Sequence, residues 1–315
     1  MTARLVSAPL CRDVPTPWAV DLRASLGALH RGRLDPALRF DGPDVWRAMR
    51  TPTGPATMHL QVRPRDAVVR ATAWGRGAPW ALKAAAELLG VADSRDGWEP
   101  THALLRQLDA HLPGLRLPRT GLVLEALVPA VLEQKVSGEE ARRSWAELLW
   151  RHGEPAPGPV PTINGIPRRL RVPPAAEVLA ALPSWEWHRA GVERRRAEFI
   201  AAAAHRARRV EECVTLGRDD AARRLRALPG VGVWTAAEVA QRAFGDPDAV
   251  SVGDYHLPSV VGWALVGEPL DDAGMLEVLE PYAGHRYRAI RLIELSGLRP
   301  PRHGPRARLR ALRSI

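Results

Sequence analysis

Leu228-Pro229-Gly230-Val231-Gly232 lies between two stretches whose apolar residues recur at helical spacing. Pro229 cannot donate the next backbone bond of a helix, so the preceding helix must end there. Gly230 and Gly232 free the backbone to reverse and leave no side chain over the turn. A second helix then starts near Val233 and is closed by Gly245-Asp246-Pro247. Val231, between the glycines, is expected to plug into the core that the two helices share. Unpaired N–H groups point out of such a turn, and with the dipole of the second helix they form a site for phosphate that needs no base contact. Gly230, Val231, Gly232, Val233 and Thr235 are the candidate contacts. An ordinary helical hairpin would carry the same kind of turn, so the surrounding residues have to decide.

Downstream, Val250-Ser251-Val252-Gly253-Asp254-Tyr255 places an isolated carboxylate, Asp254, shortly after the second helix. A lone Asp before Tyr255-His256-Leu257 reads either as a helix cap or as an acid that does chemistry. The chain carries a net charge of +10, which draws polyanions such as DNA or RNA through counterion release, although high arginine usage alone gives the same figure. Its 2 cysteines lack metal-ligand spacing and suit a reducing cytoplasm. No apolar run is long enough to span a bilayer, and the N-terminus makes a poor signal peptide.

Over 315 residues the fold class expected is α+β. Residues 17–74 read as an antiparallel sheet, from segments 18–26, 37–40, 45–49, 57–62 and 67–74 separated by turn signals, covered by a helix over 79–89. Beyond 93 the pattern is helical. A helix over 101–112 stops before Pro113-Gly114. Residues 121–151 read as a buried helix, a break at Val136-Ser137-Gly138, and a second helix capped by Ser137 or Gly138 with Glu139 and Glu140 in its first turn. Residues 153–174 form a Pro- and Gly-rich loop. Shorter helices over 175–182 and 219–227 flank one long Arg-rich helix from Val192 to Arg209. The expected division is 1–92 as a β-rich scaffold, 93–121 with 247–315 as one helical subdomain, and 122–246 as a second containing the hairpin.

Leu228–Ala236 followed by Val250–Tyr255 resembles the helix–hairpin–helix and Gly/Pro-Asp signature of base-excision DNA glycosylases. Within that superfamily the chain is most similar to DNA-3-methyladenine glycosylase II. Pro113–Pro118 with Glu133–Ser137, Pro281–Ala289, and the N-terminal sheet match that family in order. The resemblance covers nearly the whole chain, most tightly over 220–256. It implies a monofunctional glycosylase that flips an alkylated purine of the 3-methyladenine type out of duplex DNA and hydrolyses its glycosidic bond with help from Asp254. Related bifunctional members carry a nucleophilic lysine where this chain has Trp234, and an indole cannot form a Schiff base. The resemblance also implies a base pocket around Trp234, Tyr255, Glu238 and Ile293, and DNA contacts from Gln134 and Lys135. It implies no organic cofactor, only a monovalent cation held by the carbonyls of Arg226, Leu228 and Val231.

The chain departs from the family at three of these positions. Lys135 stands where an apolar wedge is usual, Glu238 where an aromatic is usual, and Ile293 near a further pocket tryptophan. The alternatives are a glycosylase for oxidised or deaminated bases, and a non-catalytic hairpin protein that binds damaged DNA. A cytoplasmic monomer acting on double-stranded DNA, with no membrane, is expected. Arg299, Arg302, Arg306, Arg308, Arg310 and Arg313 form a basic arm for DNA, or a solvated tail.

Overall fold

The computed structural model describes residues 8–301. Strands β1 (Leu10–Pro15), β2 (Leu38–Asp41), β3 (Asp44–Thr51), β4 (Gly54–Arg63) and β5 (Val68–Trp74) form one antiparallel sheet in the order β1-β5-β4-β3-β2. Period-two alternation decides its faces. Val69, Ala71 and Ala73 point toward helix α2 (Ala78–Leu88), which lays Ala81, Leu82, Ala85 and Leu88 against them. The opposite face carries Trp46 stacked on His59 and Trp74. It is covered by Ile163, Leu170 and Val172 from the Pro-rich segment.

That segment has little regular structure: β6 (Glu154–Pro155) pairs with β9 (Arg171–Val172), and β7 (Thr162–Ile163) with β8 (Ile166–Pro167). Asn164 and Gly165 both have positive φ, the geometry an Asn-Gly pair supplies most readily in a two-residue hairpin.

Two expectations about elements need correction. Residues 18–26 are not a strand: Asp21 accepts the Ala24 amide at 2.8 Å and starts a short helix, α1 (Leu22–Leu26), while the sheet edge is supplied by Leu10–Pro15. The long helix over 192–209 is two, α8 (Arg194–Ala204) and α9 (Ala207–Glu211), broken at His205-Arg206. The bend lets Glu211 accept the Val123 and Leu124 amides, each at 2.9 Å, at the head of α4 (Val123–Leu132). Those amides are orphans of the helix start, so the bend satisfies donors that would otherwise stay unpaired.

The remaining helices are α3 (Ala103–His111), α5 (Gly138–His152), α6 (Ala176–Ala181), α7 (Ser184–Arg189), α10 (Arg218–Arg226), α11 (Val233–Val239), α12 (Leu257–Leu265), α13 (Asp272–Leu279) and α14 (Arg286–Ser296). Ser137 caps α5 in a reciprocal box with Glu140. Helices α4, α5, α8 and α11 enclose a central core around Leu127, Leu148, Ile200 and Leu225. A further core joins α3, α12, α13 and α14 around Leu105, Val261, Met275 and Leu292. Burying a Leu or Ile of this kind contributes about 1.5–3 kcal/mol, which keeps the hairpin helices fixed against α4. No helix among the described residues is long and apolar enough to cross a membrane. The basic positions from Arg302 onward lie outside the described residues.

Candidate active site and nucleic-acid interface

Helix α10 ends at Arg226 with Ala227 as its C-cap, and the chain reverses through hydrogen bonds from Leu228 N to Leu225 O (3.0 Å) and from Val231 N to Leu228 O (3.2 Å). Gly230 has φ +74°, and a Cβ there would lie 2.0 Å from the Phe199 ring. Glycine is therefore required both by conformation and by the close approach of α8. Gly232 has open space where a Cβ would stand, and Val233 beside it is exposed. Val231 is buried in the central core. No side chain caps α11, so its first amides face outward from an open turn.

Gln134 and Lys135 occupy the turn between α4 and α5. Gln134 points inward: Nε2 donates to the Gly230 carbonyl at 2.8 Å and to the Thr235 hydroxyl at 2.9 Å. The Thr235 side chain is buried at this contact, so its hydroxyl is not presented to the outer face of the hairpin. Lys135 is exposed with φ +54°, a left-handed conformation that a lysine adopts only when its neighbours impose it.

Asp254 sits in the loop between α11 and α12, partly exposed. Its Oδ2 accepts the Trp234 indole N–H at 3.0 Å. Its Oδ1 accepts the amides of His256 (2.8 Å) and Leu257 (2.9 Å) at the head of α12. The helix-start acceptor and the candidate acid are thus the same carboxylate: one oxygen takes the amides at the head of α12, and the other takes the indole. Tyr255 next to it is 90% exposed, its ring edge-on to His256.

One turn along α11, Glu238 Oε1 accepts the Ser251 hydroxyl at 2.6 Å and Oε2 pairs with Arg242 at 2.8 Å. Burial pushes the Glu238 carboxyl above its usual value, against the pull of Arg242. Burial works against the Arg242 charge too and is the largest single effect, but Glu238 together with Tyr287, Glu133 and Glu294 outweighs it and raises that guanidinium. Gln241 donates to Ser251 and to the Ala249 carbonyl. It does so where α11 widens into a π-helical turn over residues 240–244, ended by Gly245 in the left-handed region. Ile293 is fully buried in the core built by α12–α14.

Four residues that matter here are not singled out by sequence reasoning: Asp248, Gln241, Ser251 and Phe199. Asp248 accepts the Gly284 and Arg286 amides and pairs with the Arg286 guanidinium at 2.5 Å, tying the Asp254 loop to α14. The turn residues of that loop are the only hint of it. Phe199 under Gly230 has no signal at all.

The structure therefore brings Trp234, Asp254, Tyr255, the hairpin, Gln134 and Lys135 to one region, and Glu238 just behind it. A separate cavity of about 700 Å³, between the sheet and the central helices near Leu122, Trp145 and Glu211, includes none of these residues. Among the described residues no cluster of His, Cys, Asp and Glu is placed to hold a metal. Arg226 is the last residue of α10, and Leu228 and Val231 follow it in the turn, where the Leu228 carbonyl accepts the Val231 amide; backbone carbonyls are all-oxygen donors of the kind that suits a hard cation.

Comparison with solved structures defines the fold. The fold matches the 3-methyladenine DNA glycosylase of Archaeoglobus fulgidus with TM-score 0.71 and 18% identity, over 90% of this chain and 97% of that one. It matches the 8-oxoguanine glycosylase/lyase of Clostridium acetobutylicum with TM-score 0.66 and 10% identity, over 90% and 98%. The chain shares the fold of these two proteins. No family model matches the chain. In sequence, 155 residues are 35% identical to a probable bifunctional transcriptional activator/DNA repair enzyme AlkA of Mycobacterium tuberculosis. The match covers 49% of this chain and 29% of that protein, so the chain spans under a third of the length of the curated relatives it matches.

Proposed function

We propose that this protein is a monofunctional DNA N-glycosylase that removes alkylated purines from duplex DNA. The observation that carries this reading is the Asp254 carboxylate, held partly exposed between the Trp234 indole and the head of α12, beside an uncapped hairpin. The hairpin amides and Lys135 grip the backbone, and a damaged nucleotide turns out of the stack toward Asp254, since its glycosidic carbon is unreachable inside the duplex. The bond from C1′ to the base nitrogen breaks with its electron pair leaving on the base. Positive charge develops on the sugar, and the carboxylate stabilises it electrostatically. Water adds its oxygen to C1′ and releases a proton to Asp254 or solvent, leaving an abasic site. An alkylated purine that already carries positive charge departs without a separate acid, so one carboxylate suffices.

Where lyase members of the superfamily carry a lysine, this chain has Trp234, and its only side-chain nitrogen is a donor already engaged by Asp254. No Schiff base forms there, and strand cleavage is not expected. The carbonyls of Arg226, Leu228 and Val231 would hold a monovalent cation that stiffens the hairpin and offsets phosphate charge. Tyr255 and Trp234 would line the approach of the base, with buried Glu238 bracing α11 behind them and Ile293 in the core.

The test is release of free methylated base from alkylated duplex DNA by the wild type and by Asp254→Asn. Release by the wild type alone supports the assignment; equal release by both proteins removes it.

A further inference from the structure

Stacking is one use of an indole beside a base-binding site, but here its edge is engaged. Trp234 Nε1–H donates to Asp254 Oδ2, while the His256 and Leu257 amides take Oδ1. Turning the carboxylate about its own axis would break contacts on both oxygens, so donors from two different elements leave it one orientation. An indole N–H only donates, and the bond cannot reverse to share a proton.

Helix α11 is itself held in place. Thr235, the next residue, is tied to Gln134 from the α4–α5 turn. Further along, Glu238 and Gln241 both bond Ser251, three residues before Asp254. Residues 249–254 are thus stitched to α11 through Trp234, Glu238 and Gln241, at the spacing of one helix face.

We propose that Trp234 is a positioning residue. Its N–H sets Asp254 Oδ2 against the anomeric carbon of the extruded nucleotide, and its ring face is secondary. The inference rests on the reading of Asp254 as the catalytic carboxylate. Electrostatic stabilisation of this kind depends on fixed geometry, and displacing a reacting group by an ångström costs on the order of 100-fold in rate.

The contact is tested first without activity. The indole N–H resonance that vanishes in Trp234→Phe should be the one that shifts in Asp254→Ala; an unmoved resonance overturns the clamp. Single-turnover kinetics on a duplex containing 7-methylguanine then test its consequence. Trp234→Phe keeps an aromatic face and loses the donor. Its rate should fall by about 10- to 100-fold, with half-saturating enzyme concentration nearly unchanged. Trp234→His, which keeps a ring N–H, should recover part of the loss. In an Asp254→Asn background, Trp234→Phe should add little further loss. A wild-type rate for Trp234→Phe, or a full additional loss in the Asn background, overturns the proposal. Equal base release by wild type and Asp254→Asn would instead remove the catalytic reading, while the resonance still reports on the clamp.

Discussion

Gln134 donates its side-chain amide to the Gly230 carbonyl at 2.8 Å, joining residues 96 positions apart in the chain. The same nitrogen reaches the Thr235 hydroxyl, so the turn carrying Lys135 and the turn between α10 and α11 move as one body. Gln134→Ala leaves both acceptors without this donor in a half-buried site, a loss of about 1–3 kcal/mol. Thermal unfolding should register it, and duplex affinity should weaken because Lys135 no longer keeps its register with the hairpin. Gln134→Glu, nearly the same size, should also fail, since a carboxylate cannot donate to a carbonyl. If the Gln134→Glu variant proved as stable as the wild type, packing rather than donation would be what matters here.

The two hairpin glycines should respond differently to alanine. At Gly230 a methyl group meets the Phe199 ring at 2.0 Å on a backbone with φ +74°. Overpacking costs about 1–3 kcal/mol and the strained backbone about 1–3 more, so Gly230→Ala should lower the melting temperature by several degrees. Gly232 has nothing within 4 Å of that position and φ −92°. Gly232→Ala should unfold near the wild-type temperature and instead weaken DNA binding, because its methyl group projects where phosphate approaches. Comparing melting curves with duplex affinities for the two variants separates folding from recognition.

Two exposed arginines lie near the hairpin and the α4–α5 turn. Exposed Arg195 lies over the Phe199 ring at 5.6 Å, and that ring packs on Gly230. Exposed Arg142 folds back along the head of α5 against Gly138 and Gly32, close in sequence to Lys135. Each is expected to neutralise one phosphate. Replacing either Arg195 or Arg142 with Gln should flatten the slope of log affinity against log salt by about 0.9, for lesion-containing and undamaged duplex alike. A slope unchanged by both substitutions would place DNA on a different face of the molecule.

What the sequence revealed and what it concealed divide along a physical line. Local rules make the hairpin and the start of α5 legible: Pro229 ends a helix, Gly230 tolerates positive φ, and Ser137 or Gly138 caps a helix whose first turn is acidic, each within a few residues. Alternation exposed β2–β5 for the same reason. The 18–26 segment misled because its apolar residues suit a strand as well as a short helix, and only the Asp21 bond to Ala24 decides between them. The 192–209 segment misled because its break serves a partner far away, the amides heading α4. At the site, Asp254 was visible as a lone acid, but its bond to Trp234 depends on how the 249–254 loop lies on α11. That lie is fixed by Glu238, Gln241 and Ser251, which have no local signature. Glu238 illustrates the limit: by type it looks like a departure in a base pocket, and in place it is a buried link between a helix and a loop.

Asp248 gives the loop a pH-dependent anchor. Burial pushes its carboxyl up, but hydrogen bonds from Arg286 and the Gly284 amide outweigh burial and hold it below the usual carboxylate value. A depressed folded pKa means the unfolded chain binds protons more readily. The stabilisation is therefore complete above the ordinary Asp value of about 4 and is lost as pH falls through the lower folded value. Asp248→Asn keeps an acceptor but loses the charge opposite Arg286, so at neutral pH it should cost about 1.5–3 kcal/mol. Below the ordinary carboxylate range the wild type loses the same charge, and the two proteins should converge. Neighbouring Asp246 is pushed up by burial and titrates in the opposite sense, so the difference between variant and wild type is the proper readout. Denaturant unfolding of both proteins from neutral pH to about pH 3 measures it across the ordinary Asp range. A gap that stays constant with pH would mean that the Asp248 charge contributes nothing to holding the loop on α14.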